Sequence, residues 1–276
     1  MAANADRYGV MGYPVSHSRS PIIHRLFALQ TGQNLQYELL QVKPDNLETA
    51  IKQFERTGGK GLNITVPHKS EVTKLVDQMS ERASTAGAVN TLVFQDDEIF
   101  GDNTDGVGFL RDLRSNLGLA LKDADILILG AGGATRGIIS PLLDAEPKSV
   151  MIANRTISKA QALVDHFSSQ GPISACRFQD FSTLQAYDLV INATSAGFKG
   201  ETPPYPAEAI GDHTICYDLS YGLTATPFSQ WATEQGAARS VMGWGMLVEQ
   251  AAESFHLWRG VRPDTAAVLK QISITV

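Results

Sequence analysis

At 276 residues, 43% hydrophobic and 19% charged, the chain has material for two ordinary folded domains or one large one. Its 23 Lys plus Arg against 29 Asp plus Glu leave a formal net charge of −6, which argues against a general affinity for nucleic acid or anionic lipid. Two cysteines, Cys176 and Cys216, make neither a disulfide framework nor a metal-ligand spacing, so no metal is expected.

The opening MAANADRYGV lacks a basic region followed by an apolar stretch, and no apolar run approaches the roughly 18 residues of a membrane span. A cytoplasmic protein with no membrane partner is expected. RYGVMGY, LQYELLQV and KGLNITV read as strands, separated by the helical stretches PIIHRLFALQ and DNLETAIKQF. Pro67 suits a first helical position and HKSEVTKLVDQM continues with helical spacing, which predicts a helix opening at Pro67. That helix would carry Lys69 in its first turn, where positive charge is disfavoured. A lysine there is either a surface side chain turned to water or one held by a functional demand.

AVNTLVFQDDEIFGDNTD reads as a hairpin around QDDE, followed by a helix over GVGFLRDLRSNLG that Gly118 ends. A second series starts with the strand ADILILG, then a helix over about 133–145, the strand SVMIAN and the helix SKAQALVDHF. ISACRF, YDLVINA, HTICYDL and RSVM are further strands; GMLVEQAAESFHLWRG is a helix with a short one after it. Strands alternating with helices predict an α/β fold with parallel sheets and right-handed crossovers. The Pro- and Gly-rich stretch at 197–212 reads as a surface connection.

ADILILGAGGATRG is a strand running into Gly130, Gly132 and Gly133 at the start of a helix, a setting in which a pyrophosphate can approach the backbone and the helix N-terminus. Thr135 occupies the place of the third glycine of the usual pattern, and Gly137 comes two later. The next strand ends Asn154-Arg155-Thr156 with Lys159 beyond and no acid to bond ribose hydroxyls. Arg155 suits a 2′-phosphate, so NADP is expected over NAD; the alternative is an exposed arginine at a strand end.

The N-terminal third places small polar groups on loops after strands: Ser16 and Ser18, Asn63 and Thr65 with Lys69, Asn90, and Asp105. Such groups suit a small polyhydroxylated ligand. Each also has a structural reading. Ser18 or Ser20 could cap the helix opened by Pro21, Asn90 could hold a turn, and Asp105 could cap the helix near Gly106.

In order, GYPVSHSRSPIIH, NITVPHK, AGAVNT, GDNTDG, GAGGATRG, NRT, INATSAG, YDLSYG and GMLVEQAA closely resemble the shikimate dehydrogenase family over nearly the whole chain. The resemblance implies reversible, NADPH-dependent reduction of 3-dehydroshikimate to shikimate. It also implies two domains: a substrate and catalytic domain at 1–106 plus 244–276, to which the C-terminal helices return, and a Rossmann domain for NADP at 107–243. By position, Ser16 and Ser18 match the pair that binds the substrate carboxylate; Asn63, Thr65 and Asn90 match groups that bind its hydroxyls; Tyr221 and Gln250 match further substrate contacts. Lys69 and Asp105 match the catalytic pair.

For the cofactor, Gly130, Ala131, Gly132, Gly133 and Ala134 match the phosphate loop, and Asn154, Arg155, Thr156 and Lys159 the adenosine-phosphate site. Thr194, Leu219, Gly243 and Met246 match the path past the nicotinamide, and Glu81 a position on the cofactor side. Arg25, Met242 and Leu219 depart from the family's commoner Asn, acid and Met. Reducing a ring ketone needs hydride and a proton, and an ammonium at Lys69 could supply that proton while stabilising developing negative charge. A quinate or dual quinate/shikimate dehydrogenase with NAD or dual cofactor use and a non-catalytic NADP-binding regulator are the competing readings. Monomer and homodimer both fit.

Overall fold

Burial along the strands sets the sheet order. In a computed structural model, which describes residues 5–182, 185–194, 205–222 and 224–274, β1 (Asp6–Gly12) and β3 (Gly59–Ile64) are buried over most of their length. That is the mark of strands covered on both faces. β2 (Leu35–Gln41) has only half-buried and exposed residues and forms a sheet edge. With β4 (Gln78–Met79), β5 (Thr91–Gln95) and β6 (Glu98–Asp102) these strands form one sheet in the order β2-β1-β3-β5-β6-β4. β1 pairs in parallel with β2 and β3, whereas β5 runs antiparallel to β3 and β6. Asp96 and Asp97 take positive φ values of 52° and 63° between β5 and β6, the conformation a tight hairpin requires.

Helices α1 (Ser20–Thr31), α2 (Leu47–Arg56) and α3 (Glu81–Ala86) accompany this sheet. Leu47, Ile51 and Phe54 of α2 bury one stripe among Met11, Leu62 and Ile64. The helix expected to open at Pro67 is absent. Lys69 O accepts a hydrogen bond from Val89 N (2.8 Å), so a tertiary partner takes a carbonyl that a helix would use. Only a short 3-10 turn forms, at Glu71–Lys74. Lys69 therefore precedes that turn and occupies no α-helical first turn.

The second sheet is all parallel: β12 (Arg239–Met242), β11 (Ile215–Asp218), β10 (Leu189–Asn192), β7 (Asp125–Leu129), β8 (Ser149–Asn154) and β9 (Ile173–Arg177), in that order. Read from the β9 edge this is the doubly wound order of dinucleotide-binding folds, reversing between β7 and β10. Helices α5 (Gly133–Leu143), α6 (Ile157–Phe167) and α7 (Pro227–Glu234) connect its strands. The expected helix over 106–118 is α4 (Asp105–Arg111), which passes into a π-helical stretch at Asp112–Asn116; Gly118 follows with φ +70°.

The chain divides into two compact units, residues 1–109 with 247–276, and residues 110–246. Helix α8 (Trp244–Arg259) crosses the boundary, and α9 (Thr265–Ile274) belongs with the first unit. Val248, Ala251, Ala252 and Phe255 of α8 are fully buried at helical spacing. Residues 195–204 lie outside the described residues, and with them the end of INATSAG and half of the expected surface connection. Among the described residues no helix is long and apolar enough to cross a membrane, and no cluster of His, Cys, Asp and Glu could hold a metal ion.

Candidate active site

In the first unit the hairpin end and the turn after β3 bring a cation and a carboxylate together. Lys69 Nζ donates to Asp105 Oδ2 at 2.5 Å, with side chains 17% and 6% exposed. Asn90 Nδ2 donates to the other oxygen, Asp105 Oδ1, at 2.9 Å. The Asn90 amide has one orientation, because its Oδ1 accepts the backbone N–H of Thr104 at 2.8 Å. Asp105 N donates in turn to Asn103 Oδ1 (3.0 Å), and Gln250 Oε1 accepts from Asn90 Nδ2 at 3.3 Å. Lys69, Asp105, Asn90 and Gln250 thus share one hydrogen-bonded cluster. Asn90 does hold a turn, and the same contacts orient Asp105. Helix α4 starts at Asp105 itself, whose carboxylate faces Lys69 and Asn90.

Asn63 joins through hydroxyl groups that the sequence reading passed over. Its Nδ2 donates to Ser254 Oγ at 2.9 Å and to Asn90 O at 3.2 Å. Thr91 Oγ1 lies 2.8 Å from Ser254 Oγ and donates to Asn90 Oδ1 at 2.9 Å. Thr104, within the quoted GDNTDG, meets both Asn90 and Ser254 with its hydroxyl. Thr65 is half-buried at the end of β3, its N–H donating to Met11 O at 2.9 Å.

Ser16 is exposed in the loop after β1. Ser18 Oγ donates to Ser20 Oγ at 3.1 Å and accepts from Ser20 N at 3.3 Å. Neither serine is the N-cap of α1. Arg19 has that position and makes no side-chain cap bond. Glu81 opens α3 in this unit, exposed and capped by Ser80, where an acid suits the helix end.

Three residues before Asp105, at the end of β6, an ion-pair chain begins. Asp102, 2% exposed, takes Arg82 on both carboxylate oxygens (2.7 and 2.5 Å) and Ser80 Oγ at 2.5 Å. Arg82 also meets Glu253, and Arg262 bridges Glu253 to the buried Glu249. Burial pushes the Asp102 carboxyl upward, but the Arg82 and Ser80 bonds outweigh it and hold it below the usual carboxylate range.

The second unit carries its polar groups where the strand order reverses. Gly130 ends β7 with φ +107°, and a Cβ there would meet Ala193 O at 3.1 Å and Thr194 Cγ2 at 3.2 Å. Gly132, the N-cap of α5, and Gly133 after it face open space, with no side-chain cap on the helix N–H groups. Ala131 and Ala134 are half-buried beside them. Thr135 is fully buried and donates to Gly130 O at 2.9 Å, so a hydroxyl ties helix to turn in place of a third glycine. At the end of β8, Asn154 Nδ2 donates to Thr156 O (2.8 Å), while Arg155, Thr156 and Lys159 are exposed. An open helix N-terminus beside two exposed cations and no carboxylate at the strand end fits a dinucleotide bearing a further phosphate.

Thr194 donates to Asn192 Oδ1 through its N–H (3.1 Å) and its hydroxyl (2.7 Å), and Asn192 Nδ2 donates to the buried Asp218 at 3.0 Å. Burial pushes the Asp218 carboxyl up against the Thr226, Ser220 and Asn192 donors that lower it. Leu219 N donates to Asn192 O at 2.9 Å, and a Cβ on Gly243 would come within 2.6 Å of Leu219 O. Thr194, Leu219 and Gly243 therefore adjoin at the carboxyl ends of β10, β11 and β12. Met246 N donates to Tyr217 Oη at 3.3 Å, and Tyr221 packs on Trp244 with ring centroids 4.6 Å apart.

Known proteins resemble the chain along nearly its whole length. Family models for the shikimate dehydrogenase substrate binding domain, shikimate/quinate 5-dehydrogenase and the shikimate 5′-dehydrogenase C-terminal domain match residues 10–92, 112–199 and 243–272. The NADP(+) shikimate dehydrogenase of Alkalilimnicola ehrlichii is 52% identical over 265 residues, 96% of this chain and 97% of that protein. An Ael1 enzyme from Pseudomonas putida superposes with a TM-score of 0.88 at 47% identity, covering 97% of this chain and 98% of that one. Shikimate 5-dehydrogenase from Thermus thermophilus, solved with NADP(H) and shikimate, gives 0.86 at 33% identity over 96% of this chain and 97% of that one. The chain belongs to the shikimate dehydrogenase family.

Proposed function

We propose that the chain is an NADP-dependent shikimate dehydrogenase, with substrate held by the first unit and NADP by the second. The observation that carries the reading is the half-buried Lys69–Asp105 pair, its carboxylate fixed on the far side by Asn90. Gly130 to Ala134 would hold the pyrophosphate and Asn154 to Lys159 the 2′-phosphate, with Thr194, Leu219, Gly243 and Met246 toward the nicotinamide. A bound nicotinamide supplies hydride transfer to and from the substrate carbon. Ser16 and Ser18 offer hydroxyl donors to the substrate carboxylate, while Asn63, Thr65, Asn90 and Gln250 of the same unit hold the rest of it.

Lys69 then gives a proton to the substrate oxygen as the ketone is reduced and takes it back in the opposite direction. Asp105 aims the Lys69 Nζ, and Asn90 keeps Asp105 from turning. Free thiols at Cys176 and Cys216 suit a reducing, cytoplasmic setting. The test is initial rates of reduced-cofactor formation with shikimate or quinate, each paired with NADP or NAD. Turnover confined to shikimate with NADP supports the reading. Equal rates with quinate or NAD would move the chain to a dual-specificity enzyme, and no turnover in any pairing would overturn it.

A further inference from the structure

Which way round a buried amide stands is decided by partners that can play only one part. Asn63, 6% exposed, has one such partner, since the carbonyl oxygen of Asn90 can only accept. The atom facing it is therefore Nδ2, and its two protons are taken by Asn90 O or Thr91 Oγ1 (3.2 Å each) and by Ser254 Oγ at 2.9 Å. What remains for any other group is Asn63 Oδ1. Tyr37 Oη donates to that oxygen at 2.7 Å.

Tyr37 stands on β2, the sheet edge, within the stretch that the substrate-domain family model matches. Its ring stacks on the fully buried His24 with centroids 4.2 Å apart and planes 8° from parallel, and Trp258 lies 6.3 Å away. Burial lowers the His24 pKa to about 3 despite Asn63 beside it, so the stack is uncharged. Desolvation holds the Tyr37 phenol well above its ordinary range, with the Ser20 side chain pulling the other way. The phenol is thus a permanent donor to Asn63.

We propose that Tyr37 is a positioning residue: by donating to Asn63 Oδ1 it fixes the oxygen that accepts a non-reacting ring hydroxyl of the substrate. The proposal rests on the reading of Asn63 as a substrate contact. An amide oxygen has two lone pairs, so Tyr37 occupies one and leaves the other for that hydroxyl. Both protons of Asn63 being taken, the substrate hydroxyl must be the donor.

Tyr37→Phe removes the phenol oxygen and keeps the ring that stacks on His24. It should raise KM for shikimate about three- to tenfold, the value of one hydrogen bond, with kcat and KM for NADP within about twofold of wild type. Shikimate analogues each lacking one non-reacting ring hydroxyl supply a readout that general destabilisation would not move. With the analogue lacking the hydroxyl that Asn63 accepts, Tyr37→Phe should leave KM unchanged. If Tyr37→Phe does not fold, Tyr37→Leu also removes the phenol oxygen from Asn63 Oδ1 and should give the same pattern.

An unchanged KM for shikimate would overturn the assignment. So would equal losses with shikimate and every analogue, or parallel falls in kcat and NADP affinity, which mark a merely structural role. A wild-type protein that does not turn over shikimate would defeat the proposed function itself. A wild type that does, beside an indifferent Tyr37→Phe, defeats only the role of Tyr37.

Discussion

Replacing Lys69 by Met keeps most of the side-chain volume and removes the ammonium proposed as the proton donor. Asp105 is the more enclosed partner, 6% exposed against 17% for Lys69, so the variant leaves a buried carboxylate with Asn90 as its remaining side-chain donor. Removing one partner of a buried pair costs about 3–5 kcal/mol, and the access of water to Lys69 puts this one at about 3. Asp105→Asn leaves the more exposed charge behind and should cost less, about 1 kcal/mol, one net hydrogen bond. Turnover should not follow that order. Both variants should lose roughly 10²–10⁴-fold in kcat, the usual worth of a positioned acid–base group, with KM for shikimate changed only a few-fold. Urea unfolding gives the first pair of numbers and steady-state oxidation of shikimate the second. A Lys69→Met protein with kcat near wild type, folded by the same urea curve, would refute the reasoning.

Arg155→Asp should raise KM for NADP by about tenfold or more while that for NAD falls or holds, since a charge-assisted bond to the extra phosphate is lost and a ribose acceptor gained; equal effects on both cofactors would contradict the assignment. Gly133→Val places a branched side chain in the open space before α5, where a Cβ meets nothing, so thermal stability should shift little while NADP affinity drops about tenfold or more, as a loss of 1.4 kcal/mol gives. Asp102 is held below the usual carboxylate range, so its contribution to stability is present above that range and is lost as pH falls through the depressed value. Asp102→Asn should therefore be less stable than wild type at neutral pH, with the urea midpoints converging as pH drops below about 3.8, the ordinary carboxylate value.

The dinucleotide half was legible because its signals are local: a strand, a glycine turn and a helix start within 14 residues, and a strand end without an acid. Thr135 shows where local reading stops, since its bond to Gly130 O explains a departure that the pattern alone left open. The helix expected at Pro67 failed for a non-local reason, because Val89 N claims the Lys69 carbonyl. The conflict of a lysine in a helix's first turn then dissolves, while the pairing with Asp105 stands on geometry. Tyr37 and Ser254 could not be read ahead, as they reach Asn63 across 26 and 191 residues of chain. Thr104 was within a quoted motif, but its worth depends on Asn90 across the hairpin, which spacing does not convey.

The most direct test of the Lys69–Asp105 assignment is a crystal structure of the protein with shikimate and NADP bound. Lys69 Nζ should lie within about 2.6–3.2 Å of the reacting ring oxygen, with Asp105 still on Nζ and a second ring hydroxyl on Asn63 Oδ1. A reacting oxygen held by another side chain, or Lys69 bound to the substrate carboxylate, would contradict it.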